Sequence, residues 1–340
     1  MKRIIPLLCA VGFLLFESGC ADKVGNPTGP GSTDTNGGMG RLVYSAVDFA
    51  QSNLDYSIRM IDSTGAQLGN LGNGLVWSSG AGEFVWFGMH GSDTGVFVTD
   101  NALGSSKLIA PGSVANPVIS LDGSHVAVTY PTSTYANTQL VVLSGTNFSH
   151  QAIISSTVAH ETLPCLSPDG SKVAFYDSAE GGRWLTVANT DGSGTIINVP
   201  ITDWGVDFYG MIDWSPMGNR LAYFDNDLIR VVNVDSRGVF TVDTGISPNW
   251  SPDGETLAYS NREGDIILTS DLGHTKQNIT NSNQLNEAYP RWSPDGKKIA
   301  CISWVGNNMD HTTTSVKIID VATGASRIVA TPGFAATWLR

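Results

Sequence analysis

The apolar positions of this 340-residue chain fall into short runs that alternate with polar ones and are separated by turn residues. In Arg291-Trp292-Ser293-Pro294-Asp295-Gly296 an anchoring Trp precedes a turn, and the apolar triplet Ile299-Ala300-Cys301 follows it. Near copies run from Asn249 to Gly254 before Leu257-Ala258-Tyr259, from Asp213 to Gly218 before Leu221-Ala222-Tyr223, and from Cys165 to Gly170 before Val173-Ala174-Phe175. Two degraded copies stand ahead of these: Ile119-Ser120-Leu121-Asp122-Gly123 before Val126-Ala127-Val128, and Trp77-Ser78-Ser79-Gly80 before Phe84-Val85-Trp86. Alternation with a period of two is the signature of a strand with one favoured face. Pro pre-sets the first turn position, Asp bonds locally, and Gly supplies the left-handed residue that returns the chain. Each copy therefore predicts strand, tight turn, strand.

The anchors fall at positions 77, 119, 166, 214, 250 and 292, in steps of 42, 47, 48, 36 and 42 residues. A repeat of this length built from several short strands is the spacing of a propeller blade. The two ends complete the pattern. Leu42 to Val47 reads as a second strand with no first strand before it, and Phe334 to Leu339 as a first strand with nothing after it. Joined, and with Ile58 to Asp62 and Gln67 to Leu71 as the remaining strands, they make a further blade and remove the exposed edges of an open array. The expected fold is thus all-β, a seven-bladed propeller closed by pairing of the N-terminal strands with the C-terminal strand. Six blades is the alternative, if the copy at Ser120 is only a loop.

The motif Trp-Ser-Pro-Asp-Gly followed by Leu-Ala-Tyr resembles the repeat of TolB-like, or WD-like, β-propellers, and the likeness covers about 300 residues. The resemblance implies a fold more than an activity. Such propellers include periplasmic interaction scaffolds, non-catalytic domains of serine peptidases and some polysaccharide lyases.

Ahead of the repeats, Lys2 and Arg3 precede an apolar run from Ile4 to Phe16 that ends in Glu17-Ser18-Gly19-Cys20. A basic start, a run too short to span a bilayer, and small residues before a Cys resemble a bacterial lipoprotein signal. That resemblance makes residues 1–20 the signal peptide and Cys20 the lipidated first residue of the mature chain; Glu17 departs from the Leu-like residue usual at its position. Ala21 gives no Asp retention signal, which implies export to the outer membrane, facing the periplasm or the cell surface. Residues 21–40, almost all Gly, Pro, Ser, Thr, Asn and Asp, read as a flexible tether with an end-to-end distance of roughly 25 Å. The propeller is expected over 41–340, with no recognisable domain ahead of it.

A formal charge of −12 argues against nucleic acid or bare anionic lipid as a partner. The four Cys do not make a disulfide framework, because Cys9 leaves with the signal, Cys20 carries lipid, and Cys165 and Cys301 sit in different repeats as small buried hydrophobes. The recurring Asp122, Asp169, Asp253 and Asp295, with Met217 in one equivalent place, are expected to form turns. Function is expected on the opposite loop face. Its candidate binding residues are Glu161, Asp203, Trp204, Asp207, Tyr209, Asp225, Asp227, Glu287 and Trp304, with Glu161 and Glu287 aimed at the mouth of the central channel. Aromatics among carboxylates suit a protein partner, a basic peptide segment or a glycan.

The chain contains no Gly-x-Ser-x-Gly elbow, no His-Glu-x-x-His pair and no phosphate loop. His90, His160 and His311 belong to three different loops, and Asp225-Asn226-Asp227 lacks the glycine and distal Glu of a calcium hand. No catalytic residue, metal or cofactor is therefore expected. The sequence reads as a lipid-anchored, non-catalytic envelope scaffold, with a polysaccharide-lyase-like enzyme acting at the channel mouth as the alternative.

Overall fold

The computed structural model describes residues 40–48, 55–62, 64–101, 105–131, 137–159, 164–177, 182–203, 212–282, 284–306, 309 and 313–339. Its strands are β1 (Leu42–Asp48), β2 (Asp55–Ile61), β3 (Gln67–Gly80), β4 (Glu83–His90), β5 (Asp93–Asp100), β6 (Ser106–Pro111), β7 (Ala115–Ile119), β8 (His125–Pro131), β9 (Asn137–Ser144), β10 (His150–Ala159), β11 (Cys165–Leu166), β12 (Lys172–Asp177), β13 (Trp184–Asn189) and β14 (Thr195–Pro200). There follow β15 (Ile212–Trp214), β16 (Arg220–Asp225), β17 (Leu228–Asn233), β18 (Val239–Thr244), β19 (Ile246–Trp250), β20 (Leu257–Ser260), β21 (Ile266–Ser270), β22 (Thr275–Asn278), β23 (Leu285–Trp292), β24 (Lys298–Val305), β25 (Ser315–Asp320), β26 (Ser326–Ala330) and β27 (Phe334–Trp338). From β7 to β26 they form antiparallel four-stranded sheets in chain order, and a seven-stranded sheet runs β27-β1-β2-β3-β4-β5-β6.

The seven-stranded sheet exists because β3 is a single strand of 14 residues. Its first half pairs with β2 and its second half with β4, so the expected strand Gln67 to Leu71 continues unbroken into the next unit. At its other edge Leu42 pairs with Trp338 and Val43 with Thr337.

The turn motif is built as its residues dictate. In the copies at Ser120, Ser167, Ser251 and Ser293 the hydroxyl donates to the Asp two residues on at 2.5–2.7 Å. The same carboxylate accepts the N–H two residues further along at 3.0–3.1 Å. Gly123, Gly170, Gly218, Gly254 and Gly296 then adopt φ of 68–80°, where a side chain would be strained. The copy with Met217 keeps the fold of the turn without its carboxylate, and Met217 itself is 66% exposed.

Packing explains the triplet. In Leu221-Ala222-Tyr223 the outer two side chains enter the core shared with the preceding sheet, and Ala222 enters the core shared with the following one. Trp250 of the following sheet lies in the same cluster as Ala222, as Trp214 does with Ala174, Trp292 with Ala258, and Trp338 with Ala300. A small residue on one sheet thus meets a large one on the next, which is how facing layers interdigitate without voids.

The first degraded copy departs from its expected register. Ser79, not Trp77, pairs with Phe84 in the place where Trp214 pairs with Leu221 and Trp250 with Leu257. A bulge between Val76 and Ser78 and a shorter turn displace the Trp by two positions.

The turn carboxylates make stability depend on pH. Burial opposes ionisation of Asp122, Asp169 and Asp295, but hydrogen bonds from the turn serines and following N–H groups outweigh it and hold each below the ordinary value; at Asp253 the bond from Ser251 leads. Their ionised form therefore stabilises the fold above the unfolded value of about 3.9, and the contribution is lost as pH falls through the lower folded values. Thermal melting between pH 5 and 2 should fall steeply for the natural chain and less steeply for Asp122→Asn with Asp295→Asn. At pH 7, Met217→Asp should add about 0.5–1.5 kcal/mol by restoring the missing bonds.

Candidate functional site

Antiparallel pairing puts the crossovers between sheets and the turns between the second and third strands at one end, opposite the Ser-Pro-Asp-Gly turns. Main-chain hydrogen bonds fasten these loops from one sheet to the next: Asn226 N–H to Asp203 C=O (2.8 Å), Gly245 N–H to Asp227 C=O (2.9 Å) and Glu287 N–H to Gly264 C=O (2.7 Å). Asn226 and Asp227 have φ of 49° and 68°, the left-handed pair of a two-residue hairpin turn, for which Asn and Asp are suited.

Each described acid of the candidate face has a basic partner. Asp203 bonds Arg183 at 2.5 Å, and Asp227 bonds Arg262 at 2.6 Å, with all four side chains 47–60% exposed. Asp225 is buried at the end of β16, accepts the N–H groups of Thr202 (2.6 Å) and Asp203 (3.2 Å), and lies 3.1 Å from Arg230 Nε. Glu287 is fully buried at 0% exposure, paired with Lys317 at 2.9 Å, and receives the Ser282 hydroxyl at 3.0 Å.

A second set of polar groups lies immediately before the anchors. Asp213 Oδ2 accepts Trp250 N–H at 2.6 Å, Asn249 Oδ1 accepts Trp292 N–H at 3.0 Å, and Ser78 Oγ accepts Ile119 N–H at 2.9 Å. Each of these side chains thus satisfies a donor on the following sheet that its own sheet leaves unpaired. The series ends at Arg291, which cannot accept; burial lowers the pKa of its guanidinium, and the charge of Asp213 opposes that.

No protein-family model matches the chain, and no curated protein does. Several solved structures share its fold. TolB from Acinetobacter baumannii is 12% identical, with a TM-score of 0.53, covering 88% of this chain and 83% of that one. A puromycin-hydrolysing peptidase from Mycobacterium tuberculosis is 12% identical, with a TM-score of 0.60, covering 86% of this chain and 53% of its own. A puromycin hydrolase in complex with PGG is 14% identical, with a TM-score of 0.62, covering 88% and 54%. The fold is that of a TolB-like β-propeller. Against the two hydrolases the chain spans about half their length, and at these identities the likeness is one of fold alone.

In the propeller, the sequence-derived site residues separate into three groups. Cys20, Glu161, Trp204, Asp207 and Tyr209 lie outside the described residues, as do His160 and His311. Asp203 and Asp227 are on the rim in exposed ion pairs. Asp225, Glu287 and Trp304 turn inward. Trp304, expected in a loop excursion, is 5% exposed inside β24 opposite Asn286, and its indole N–H meets no acceptor among the described residues. The acids expected to project freely from the described rim are therefore locally neutralised, because a carboxylate beside a sheet edge recruits the nearest Arg or Lys or N–H. Asp225-Asn226-Asp227 is a hairpin turn whose first carboxylate is committed to the adjoining loop.

Of the two described thiols Cys301 is buried as expected, whereas Cys165 is half-buried at the edge of its cluster. Burial pushes up the Cys165 thiol, with Asp213 adding to the effect, and burial pushes up the Cys301 thiol, with Glu287 adding there. Neither is in the thiolate form that nucleophilic chemistry requires. His90 packs edge-on against Trp86 and Phe97, with ring centroids 6.3 and 5.8 Å away. Among the described residues no group of three or more His, Cys, Asp or Glu could hold a metal ion, and no helix is long and apolar enough to cross a membrane.

Proposed function

We propose that this chain is a non-catalytic scaffold of the cell envelope, a closed seven-bladed propeller that docks another protein on its loop rim. Closure is supported by β27 pairing with β1 and by buried clusters that join each sheet to its neighbour, including the one holding Trp338, Ala300 and Leu42. The observation that carries the docking role is the fastening of successive rim loops by main-chain hydrogen bonds from Asp203 through Gly264 to Glu287. Loops so fixed give a platform that loses little entropy on binding. The exposed pairs Arg183–Asp203 and Arg262–Asp227 offer both signs of charge to a partner. Glu161, Trp204, Asp207 and Tyr209 belong to the same face in this proposal, which extends to a basic peptide segment as the contacted part of the partner.

Attachment at Cys20 through the tether of 21–40 places the rim near an envelope membrane in this reading, the outer membrane being the proposed location. The experiment is a pull-down from envelope extract with the tagged natural chain and with Asp203→Lys, Asp227→Lys and Arg262→Glu combined. A partner retained by the natural chain and lost by the triple variant is the expected result. Identical partner sets, with unchanged melting of both proteins, would remove the rim from consideration. Metabolic labelling with palmitate, abolished by Cys20→Ser, is expected for the anchor.

A further inference from the structure

A concavity lies at the other end of the molecule, among the turns rather than the rim. It is a groove of about 650 Å³ between the sheet of β4–β6 and the sheet of β7–β10. Its size falls within the range of small-molecule sites. We propose that this groove binds an alkylammonium group, carried either by a free polyamine or by a lysine side chain of an extended peptide.

One wall is acidic. Glu83 at the start of β4 pairs directly with Asp100 at the end of β5, so two carboxylates stand side by side across the strands. Like charges in that position destabilise a sheet, and a cation between them reverses the sign. Burial first, and the charge of Asp100 second, raise the pKa of Glu83 against the opposing influence of Lys107. Lys107 also reaches across the groove to the carbonyl of Asn147 at 3.4 Å, so its charge is divided between the walls. The lining sets the carboxylates of Glu83 and Asp100 against the single ammonium of Lys107, and that adjacent acidic pair is what selects a cation.

The facing wall carries two imidazoles, of which His125 has its Nδ1 2.7 Å from the Ser124 hydroxyl. His125 and His150 both pair with Ser144, one from each side, which places the three side chains on one face of the sheet. Two glycines make room for the rings: a Cβ at Gly145 would lie 2.2 Å from His150 Nδ1, and one at Gly170 would lie 2.2 Å from His125 Nδ1. Phe148, half-buried and held at φ 57°, lines the same groove and offers an aromatic surface to an alkyl stem or an ammonium. A bare metal ion fits poorly, because no three of the lining His, Asp and Glu converge on a point. An extended organic cation can reach both walls at once.

The test uses the full chain and isothermal titration with spermidine, with a lysine-containing hexapeptide, and with the same peptide acetylated on lysine. Saturable binding of spermidine alone identifies a polyamine site, and binding of the peptide lost on acetylation identifies a peptide site; either supports the proposal. Glu83→Gln combined with Asp100→Asn should weaken binding by at least about tenfold, since each charge-assisted bond lost is a large fraction of a small ligand's affinity. The double variant relieves the like-charge contact, so it should fold and melt at or above the natural temperature. Asp253→Asn, in a turn remote from the groove, should bind as the natural chain does. No saturable binding by any of the three probes, or binding unaffected by the double variant, would overturn the proposal.

Discussion

Replacing Trp338 by alanine should lower stability by about 3–5 kcal/mol, the range for deleting a large buried aromatic. The side chain is 2% exposed and lies in the core between the last sheet and the first. Its indole N–H donates to the Arg291 carbonyl at 2.9 Å, its own carbonyl accepts the Ser79 hydroxyl, and its ring lies close enough to Gly40 that a Cβ there would come within 2.9 Å. Alanine would therefore leave a cavity, an orphaned carbonyl and a loosened N-terminal edge together. Trp338→Phe, which keeps most of the volume, should lose about 0.5–1.5 kcal/mol for the hydrogen bond. Removal of residues 334–340 goes further, because it strips β1 of its partner along Leu42 to Ser45 and exposes a row of unpaired main-chain groups. Unpaired edges recruit other edges, so that variant should elute as dimers or larger species. Urea denaturation and size-exclusion chromatography read these outcomes, and a truncated chain that stays monomeric with its midpoint unchanged would show that the terminal strand contributes nothing.

The second large effect concerns the buried pair of Glu287 and Lys317. Glu287→Ala should destabilise by about 3–5 kcal/mol, because it leaves the ammonium of Lys317, 7% exposed, without its counter-charge. Lys317→Met alone should lose somewhat less, since Glu287 keeps the Ser282 hydroxyl. The double change Glu287→Leu with Lys317→Met should recover much of the loss, as an apolar pair of similar volume needs no desolvation of charge. A double-mutant cycle with coupling well above about 1 kcal/mol is expected, and simple additivity would mean the two groups do not act as a pair.

These residues also mark the limit of what alternation and turn chemistry could reveal. That Glu287 precedes an anchor by five residues is plain in the sequence; that it points into the blade and meets Lys317, 30 residues later, is not. Asp225 reads as one of three polar loop residues, yet its strand position and the loop of Thr202 and Asp203 turn it inward. Ser78, Asp213 and Asn249 share the task of accepting the N–H of the next anchor, yet the only trace in the sequence is a short side chain able to accept a hydrogen bond, and the anchor Ile119 has Val118 before it instead. Trp77 misled for a related reason, since composition cannot register a bulge that moves pairing from one residue to another two places along.

The sequence alone determined the parts governed by neighbours along the chain: the Ser-Pro-Asp-Gly turn, the strands on either side of it, and the repeating contrast of large anchor and small Ala. These follow from contacts within about ten residues, where Pro, Gly and a local carboxylate leave the backbone few choices. Tertiary structure decided which carboxylates are buried, which are paired on the rim, and which stand side by side in the groove at Glu83 and Asp100. A charge takes its role from the partners and solvent around it, and in this chain those partners lie on other strands and other sheets.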